Sequence, residues 1–412
     1  MWLDDANFGP LVRIGTLNRS GVDPVRFAYE RAWLDRPGAF QLDPEMLLAA
    51  GDFYPRDSNF GIFLDSCPDR WGQTLMKRRE LVQAKSQGRA RRELRAWDFL
   101  LGVQDVTRTG ALRFSPATDK GQAEPPCQAA FLANEALAAP AVTQLGELQR
   151  VALELTRKKV EDLNLLQQWL KVLVAPGASL GGARPKANLQ DERGELWIAK
   201  FPAADDEHDW ALRERLLHQM AEDFGLDVSP SRIERIGHGY HTFVTHRFDR
   251  HAGRRRFFTS AMALLGRTEH DPSSYLELAE FLSNHGHPGH IEEDLRELFC
   301  RVLFNVATAN RDDHLRNHGF IRHPEGWRLA PAYDMNPTTK RDAHVLALDD
   351  ADPHPDIGLV LSTAAFYRLK PDEALAEWQR LRDVVNGWAA RAKRLGLDVE
   401  ERAELEDCFI LG

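Results

Sequence analysis

The sequence predicts an α+β chain in two lobes, the first rich in sheet and the second helical. Three observations lead there. Ser179–Leu189 and Leu196–Phe201 read as strands joined by the charged turn Asp191-Glu192-Arg193-Gly194, an antiparallel hairpin. Beyond Arg256, apolar residues recur at helical spacing in Tyr275–Asn284, Ile291–Ala309 and Pro371–Leu395. Between Ser115 and Ala141 lie four prolines and many alanines, the composition of a boundary between domains.

The elements follow in order. Phe27-Ala28-Tyr29, Phe53-Tyr54 and Phe60-Gly61-Ile62-Phe63 are short apolar runs between Gly, Pro and Asp, and read as strands and turns. Leu75–Gln83 and Leu94–Leu101 read as helices, and Gly110–Phe114 as a strand. Gln144–Arg157 and Val160–Val174 have helical periodicity. Trp210–Phe224 is an amphipathic helix stopped by Gly225. Ser231–Ile236 and Tyr240–Arg247 read as two further strands.

Composition sets outer limits. The 412 residues suggest two or three domains at about 150 residues each. With 43% hydrophobic and 28% charged residues, a disordered, collagen-like or coiled-coil chain is excluded. A net charge of -9 argues against a globally basic nucleic-acid binder. No apolar run reaches the roughly 18 residues of a spanning helix, and Met1-Trp2-Leu3-Asp4-Asp5 does not read as a secretory signal. Cys67, Cys127, Cys300 and Cys408 form no CxxC pair, so they read as free, mostly buried thiols of a cytoplasmic protein.

Four features carry chemistry. The first is the loop Gly181-Gly182-Ala183-Arg184-Pro185-Lys186. Its glycines let backbone N–H groups approach a phosphate, and its two cations add charge. No GK[ST] closes it, and on its own it better suits an ordinary hairpin turn. The second is Lys200 at the end of the next strand, followed by Glu214 on the following helix, the pair by which kinases aim a cation at nucleotide phosphates. The third is Asn310-Arg311-Asp312-Asp313-His314-Leu315-Arg316-Asn317, where Asp312 and Asn317 repeat the spacing of the kinase HRDxxxxN loop. Asp312 suits a general base for a hydroxyl, and Asn317 suits a neutral oxygen ligand for Mg²⁺. The fourth is Pro331-Ala332-Tyr333-Asp334, where Asp334 stands in the place of the metal aspartate and Tyr-Asp-Met replaces DFG. Loop, lysine, glutamate, base, asparagine and aspartate occur in kinase order, which points to a phosphotransferase.

These residues also carry a resemblance. SLGGARPKA, Arg247-Phe248-Asp249-Arg250, NRDDHLRN and PAYD resemble the HipA family of serine/threonine kinases, the toxins of bacterial toxin–antitoxin modules. So do Asp65–Gly72, Asp98–Val103 and Gly110–Phe114 in the N-terminal part. The resemblance spans nearly the whole chain. It implies a two-lobed protein-kinase-like fold with a helical C-terminal lobe and an N-terminal α/β subdomain. The divisions expected are an N-terminal subdomain over 1–125, a lobe with the Gly loop and ATP lysine over 126–250, and a helical lobe with the catalytic loop over 251–412.

The resemblance further implies residue roles and partners. Asp312 would be the catalytic base, and Asn317 and Asp334 would hold Mg²⁺. Lys200 would contact the ATP phosphates, with Glu214 beside it, and Gly181, Gly182, Ala183, Arg184 and Lys186 would cover them. His246, Arg247 and Phe248 would lie at the hinge near adenine, with His314 and Tyr333 also near the nucleotide. Ser179 matches the serine that the family autophosphorylates. The expected partners are a HipB-like helix-turn-helix antitoxin and a protein substrate such as an aminoacyl-tRNA synthetase. DNA would be met only through the antitoxin, and no membrane is involved. Two departures stand out. Asp313 follows the base where a small residue is common, so one of two adjacent carboxyls is expected to take a raised pKa. His246 stands where an acidic hinge residue can occur.

Other readings stay open at this point. His285-Gly286-His287-Pro288-Gly289-His290 with Glu292 and Glu293 suggests a metal site, although no HExxH accompanies it. Arg89–Arg92 with Arg95, and Arg254–Arg256, are basic clusters that could meet nucleic-acid phosphates. A small-molecule kinase and an antitoxin-bound corepressor with little catalysis are the remaining alternatives.

Overall fold

The computed structural model describes residues 1–19, 25–117, 130–133, 145–156, 184–237 and 239–410. The expected helix Val160–Val174, together with Cys127, Ser179, Gly181, Gly182 and Ala183, lies outside them. The chain forms two compact units, each discontinuous in sequence. Met1–Ala204 joins Asp249–Arg267 in the first, and Asp205–Phe248 joins Thr268–Gly412 in the second.

In the first unit, Trp2–Leu3 pairs antiparallel with both Val12–Arg13 and Leu112–Arg113. Gly15–Arg19, Val25–Tyr29 and Asp52–Phe53 form a second antiparallel sheet, in that order. Phe27 and Tyr29 alternate inward on the middle strand. Phe27 meets Tyr29 and Phe63 edge-on, in a core that also buries Phe60 and Trp33. The hairpin expected around Gly194 is present, as Lys186–Gln190 against Leu196–Lys200. Gly194 takes a φ of 81°, and Asp191 accepts from the N–H groups of Arg193 and Glu195 and from Trp197 Nε1.

One expectation fails in this unit. Phe60–Phe63 is no strand: it enters the helix Gly61–Asp65. Asp43, distant in sequence, accepts the Ile62 N–H at 2.9 Å, and the run buries Ile62 and Phe63 together. A short apolar run does not itself distinguish strand from helix.

The motif segments here hold the unit together. Asp65 is buried and accepts the Thr259 hydroxyl at 2.9 Å, the Ser260 hydroxyl at 2.8 Å and the Ser260 N–H at 2.6 Å. Asp69 caps the helix Arg70–Ser86 through the Gly72 N–H at 2.8 Å. Its other oxygen meets Lys186 Nζ at 2.6 Å, while Trp71 Nε1 donates to the Lys186 carbonyl at 3.0 Å. Asp249 accepts the Gly110 N–H at 2.8 Å, and Arg250 donates to Asp249 and to the Arg108 carbonyl, each at 2.7 Å.

The second unit is mostly helical. Trp210–Phe224 is capped by Asp209 at its start and by Gly225, with a φ of 92°, at its end. Ser231–Glu234 pairs antiparallel with Thr242–His246. Tyr275–His285 and Ile291–Ala307 pack together, and every residue from Leu298 to Ala307 is buried. Gly319–His323 and Gly326–Leu329 make a hairpin. The helix expected over Pro371–Leu395 is two helices, Pro371–Asn386 and Trp388–Leu395, parted at Gly387. Among the described residues, no helix is long and apolar enough to cross a membrane.

Candidate active site

The helix Ile291–Ala307 delivers the polar loop that the spacing singled out. Ala309 turns the chain with a φ of 49°, and Asn310 N–H returns to the Asn305 carbonyl at 2.9 Å. The Asn310 side chain then bridges two segments. Its Nδ2 donates to Asn305 Oδ1 at 2.9 Å, and its Oδ1 accepts the Asn336 N–H at 3.1 Å. One amide side chain thus bridges the Asn310–Asn317 loop and the segment after Asp334.

Asp312 and Asp313 are adjacent but live in opposite surroundings. Asp313 is buried, and its Oδ2 receives Tyr275 OH at 2.7 Å and Asn305 Nδ2 at 2.8 Å and meets His318 Nε2 at 2.7 Å. Burial by itself would raise this carboxyl. The His318 ring and the hydrogen bonds from His318 and Tyr275 outweigh it, and the carboxyl sits below its ordinary value. At Asp313 the direction is opposite to the raised pKa expected for one of the two adjacent carboxyls. Asp312, by contrast, is 60% exposed, and Arg341 Nη2 lies 3.1 Å from its Oδ1. Asp313 therefore shapes the loop, and Asp312 is the carboxylate an incoming hydroxyl can reach.

Asn317 is buried, with Nδ2 3.5 Å from the Asp312 carbonyl. Its Oδ1 is buried with no hydrogen-bond partner among the described residues. An orphaned amide oxygen in a buried position is costly unless something fills its coordination. Mg²⁺ takes oxygen ligands and keeps several waters, so it needs few protein groups. Asn317 fits that demand, and the half-buried carboxylate of Asp334 is the second group of suitable chemistry. Asp334 has a left-handed backbone with φ 59°, a conformation aspartate tolerates better than most residues. His314 Nδ1 is also buried without a hydrogen-bond partner among the described residues.

Tyr333 ties this group to the predicted hinge. Its hydroxyl donates to the Arg316 carbonyl at 2.5 Å, and its ring lies 5.4 Å from that of Phe248. Arg247 and Glu214 are buried in the same unit, and His246 is half-buried. Lys200 and Arg184 belong to the first unit and are half-buried there. Lys186, expected over the phosphates, is buried in the first unit against Asp69.

Three residues that organise the loop had no signal in the sequence reading. Tyr275 and Arg341 reach it from other stretches of chain and Asn305 from the helix that leads into it, and nothing in their local pattern marks them. The alternative metal and nucleic-acid clusters, for their part, are engaged locally. His290 pairs with Glu293 at 2.7 Å and His287 with Glu325 at 3.4 Å. Among the described residues, no group of three or more His, Cys, Asp or Glu is placed to hold a metal ion. Arg89 and Arg92 turn onto the buried Glu80, and Arg255 is itself buried.

Comparison with known proteins agrees with this picture. Residues 178–398 match the family model of the HipA-like C-terminal domain, and residues 10–114 match that of the HipA N-terminal domain. A Sinorhizobium fredii protein, provisionally named a kinase, is 24% identical over 96% of this chain and 85% of its own. A Haemophilus influenzae protein, also provisionally named a kinase, is 28% identical over 39% of this chain, and the match spans only 52% of that protein. Among solved structures, Shewanella oneidensis HipA, crystallised with HipB and its operator DNA, is similar with a TM-score of 0.64. That likeness covers 98% of this chain and 94% of the other at 17% identity, and it shows a common kinase-like fold. With the C-terminal family model alone spanning more than half of the sequence, the chain belongs to the HipA family.

Proposed function

We propose that this protein is a Mg·ATP-dependent serine/threonine protein kinase that acts as the toxin of a toxin–antitoxin pair. The observation that carries the reading is the contrast within one loop: an exposed carboxylate at Asp312, held five residues before a buried amide at Asn317 whose Oδ1 lacks a hydrogen-bond partner among the described residues. Kinase chemistry asks for that combination, since a base must reach solvent-delivered hydroxyls while a metal ligand faces inward.

Asn317 and Asp334 would hold Mg²⁺, which when bound neutralises phosphate charge. Asp312 orients the acceptor hydroxyl and takes its proton. The acceptor oxygen then bonds to the γ-phosphorus, the bond from phosphorus to the β,γ-bridging oxygen breaks, and ADP leaves. Phe248 and Tyr333 supply an aromatic flank at the hinge, suited to a purine base. Lys200 and the loop Gly181–Arg184 are assigned to the phosphates, and Ser179 to autophosphorylation that silences the enzyme by adding charge of about -2 beside that loop.

The similarity to a HipA solved with HipB and operator DNA supports a HipB-like helix-turn-helix partner. DNA is then met through that partner. A translation protein, such as an aminoacyl-tRNA synthetase, is the proposed target, reached in the cytoplasm. The test is Mg²⁺-dependent phosphoryl transfer from labelled ATP by phosphatase-treated wild type and Asp312→Asn, with sites mapped by mass spectrometry. Label on Ser179 in wild type and none in Asp312→Asn is expected. Equal labelling of the two proteins, or no ATP binding by calorimetry, overturns the reading.

A further inference from the structure

The geometry points to Arg341 as the positioning residue of the base. This rests on Asp312 being that base. A carboxylate that accepts a proton works best when one oxygen is held and the other is left open. Asp313 is held by three side chains. Asp312 has Arg341 alone as a side-chain partner among the described residues, at 3.1 Å from Oδ1. Oδ2 is left to the acceptor hydroxyl.

Arg341 is itself delivered by a stitched segment, not by a loose loop. Thr338 N–H donates to the Ala309 carbonyl at 2.8 Å, and Val345 N–H donates to the Arg311 carbonyl at 3.1 Å. Between them, Arg311 Nη1 donates to the Arg341 carbonyl. At the far end, Ala347 N–H donates to the Ser273 carbonyl at 3.0 Å, and Tyr275 N–H donates to the Ala347 carbonyl at 3.1 Å. The segment after Asp334 is therefore bonded to the residues on the N-terminal side of the base, and Arg341 projects from it onto Asp312. Arginine suits the task because its guanidinium keeps its charge and can hold one carboxylate oxygen without taking the proton itself. At 51% exposure it also leaves a cation beside the space where phosphoryl charge develops during transfer.

The test compares wild type, Arg341→Ala, Arg341→Lys and Asp312→Asn in single-turnover autophosphorylation with Mg·ATP, alongside thermal unfolding. Arg341→Ala is expected to slow transfer about tenfold at saturating ATP, a fraction of what a general base contributes. The ATP concentration giving half the maximal rate should not move, and Arg341→Lys should recover part of the loss. Unfolding temperatures should match wild type, because an exposed pair adds little stability. An Arg341→Ala rate equal to wild type overturns the assignment. A faster rate overturns it too, and makes Arg341 a restraint on the base. If Asp312→Asn labels as well as wild type, the reading of Asp312 fails and the role of Arg341 falls with it. Active wild type with silent Asp312→Asn and indifferent Arg341 variants sinks only the present inference.

Discussion

His344 shows how strongly single residues near the loop feel their surroundings. It is buried beside Asp313 and Arg311, and burial, the largest influence, pushes its ring down to about 4 from 6.5. Asp313 pulls the other way and Arg311 adds to the lowering. A folded-state value below the unfolded one means that the native protein resists taking up the proton. The stability His344 contributes is therefore complete above pH 6.5 and is lost as pH falls towards 4. Across that window the unfolding free energy should drop by up to about 1.4 kcal/mol per pH unit on this account. Urea denaturation of wild type and His344→Phe at a series of pH values checks it: the variant's slope should be shallower by as much as one proton. Identical slopes would show that His344 titrates in the folded protein as it does in the unfolded chain. Asp313, also lowered, does not compete in the same range, since its loss falls below the ordinary value of 3.8.

At the scale of elements, what the sequence reveals depends on whether the cause is local. Trp210–Phe224 was legible because Asp209 and Gly225, its caps, flank an amphipathic run. The spacing of Asp312, Asn317 and Asp334 was legible because one loop and one hairpin set it. Phe60–Phe63 was misread because the residue that turns it into a helix is Asp43, and Gly387 parts a helix whose apolar period continues on both sides. Tyr275 and Arg341 were invisible for the same reason, as their partners are brought to them by tertiary structure. Asp69 combines the local and the distant cause. It caps the helix Arg70–Ser86 and also neutralises the buried Lys186. Asp69→Ala removes a cap and leaves a buried ammonium without this carboxylate, so a loss of about 4 kcal/mol is expected from equilibrium denaturation. Adding Lys186→Met to that variant should recover most of the loss, because the buried ammonium that lost this carboxylate is gone. If the double variant is no more stable than Asp69→Ala, the cap and not the charge pair dominates.

For the whole molecule, charge and ligand binding are the quantities that the separate contacts combine to set. A net charge of -9, with Arg89 and Arg92 turned onto Glu80, gives little long-range attraction to nucleic acid, in keeping with the proposal that DNA is met through a partner. The proposed binding of nucleotide, by contrast, would act on folding directly. Whatever binds the native chain and not the unfolded one stabilises it by RT ln(1 + [L]/Kd), about 2.7 kcal/mol at a hundredfold excess over Kd. Mg·ATP should therefore raise the unfolding temperature by several degrees, and chelation of the metal should remove most of that rise. Asn317→Ala and Asp334→Asn should unfold near the wild-type temperature without ligand yet respond weakly to Mg·ATP, since each loses an oxygen or a charge meant for the metal. Asp312→Asn should keep the full response, because a base is needed for transfer and not for binding. Thermal scans of the four proteins with ATP, with Mg·ATP and with Mg·ATP plus chelator separate these roles. A normal Mg·ATP response in both Asn317→Ala and Asp334→Asn would remove the metal from these two residues while leaving Asp312 untouched.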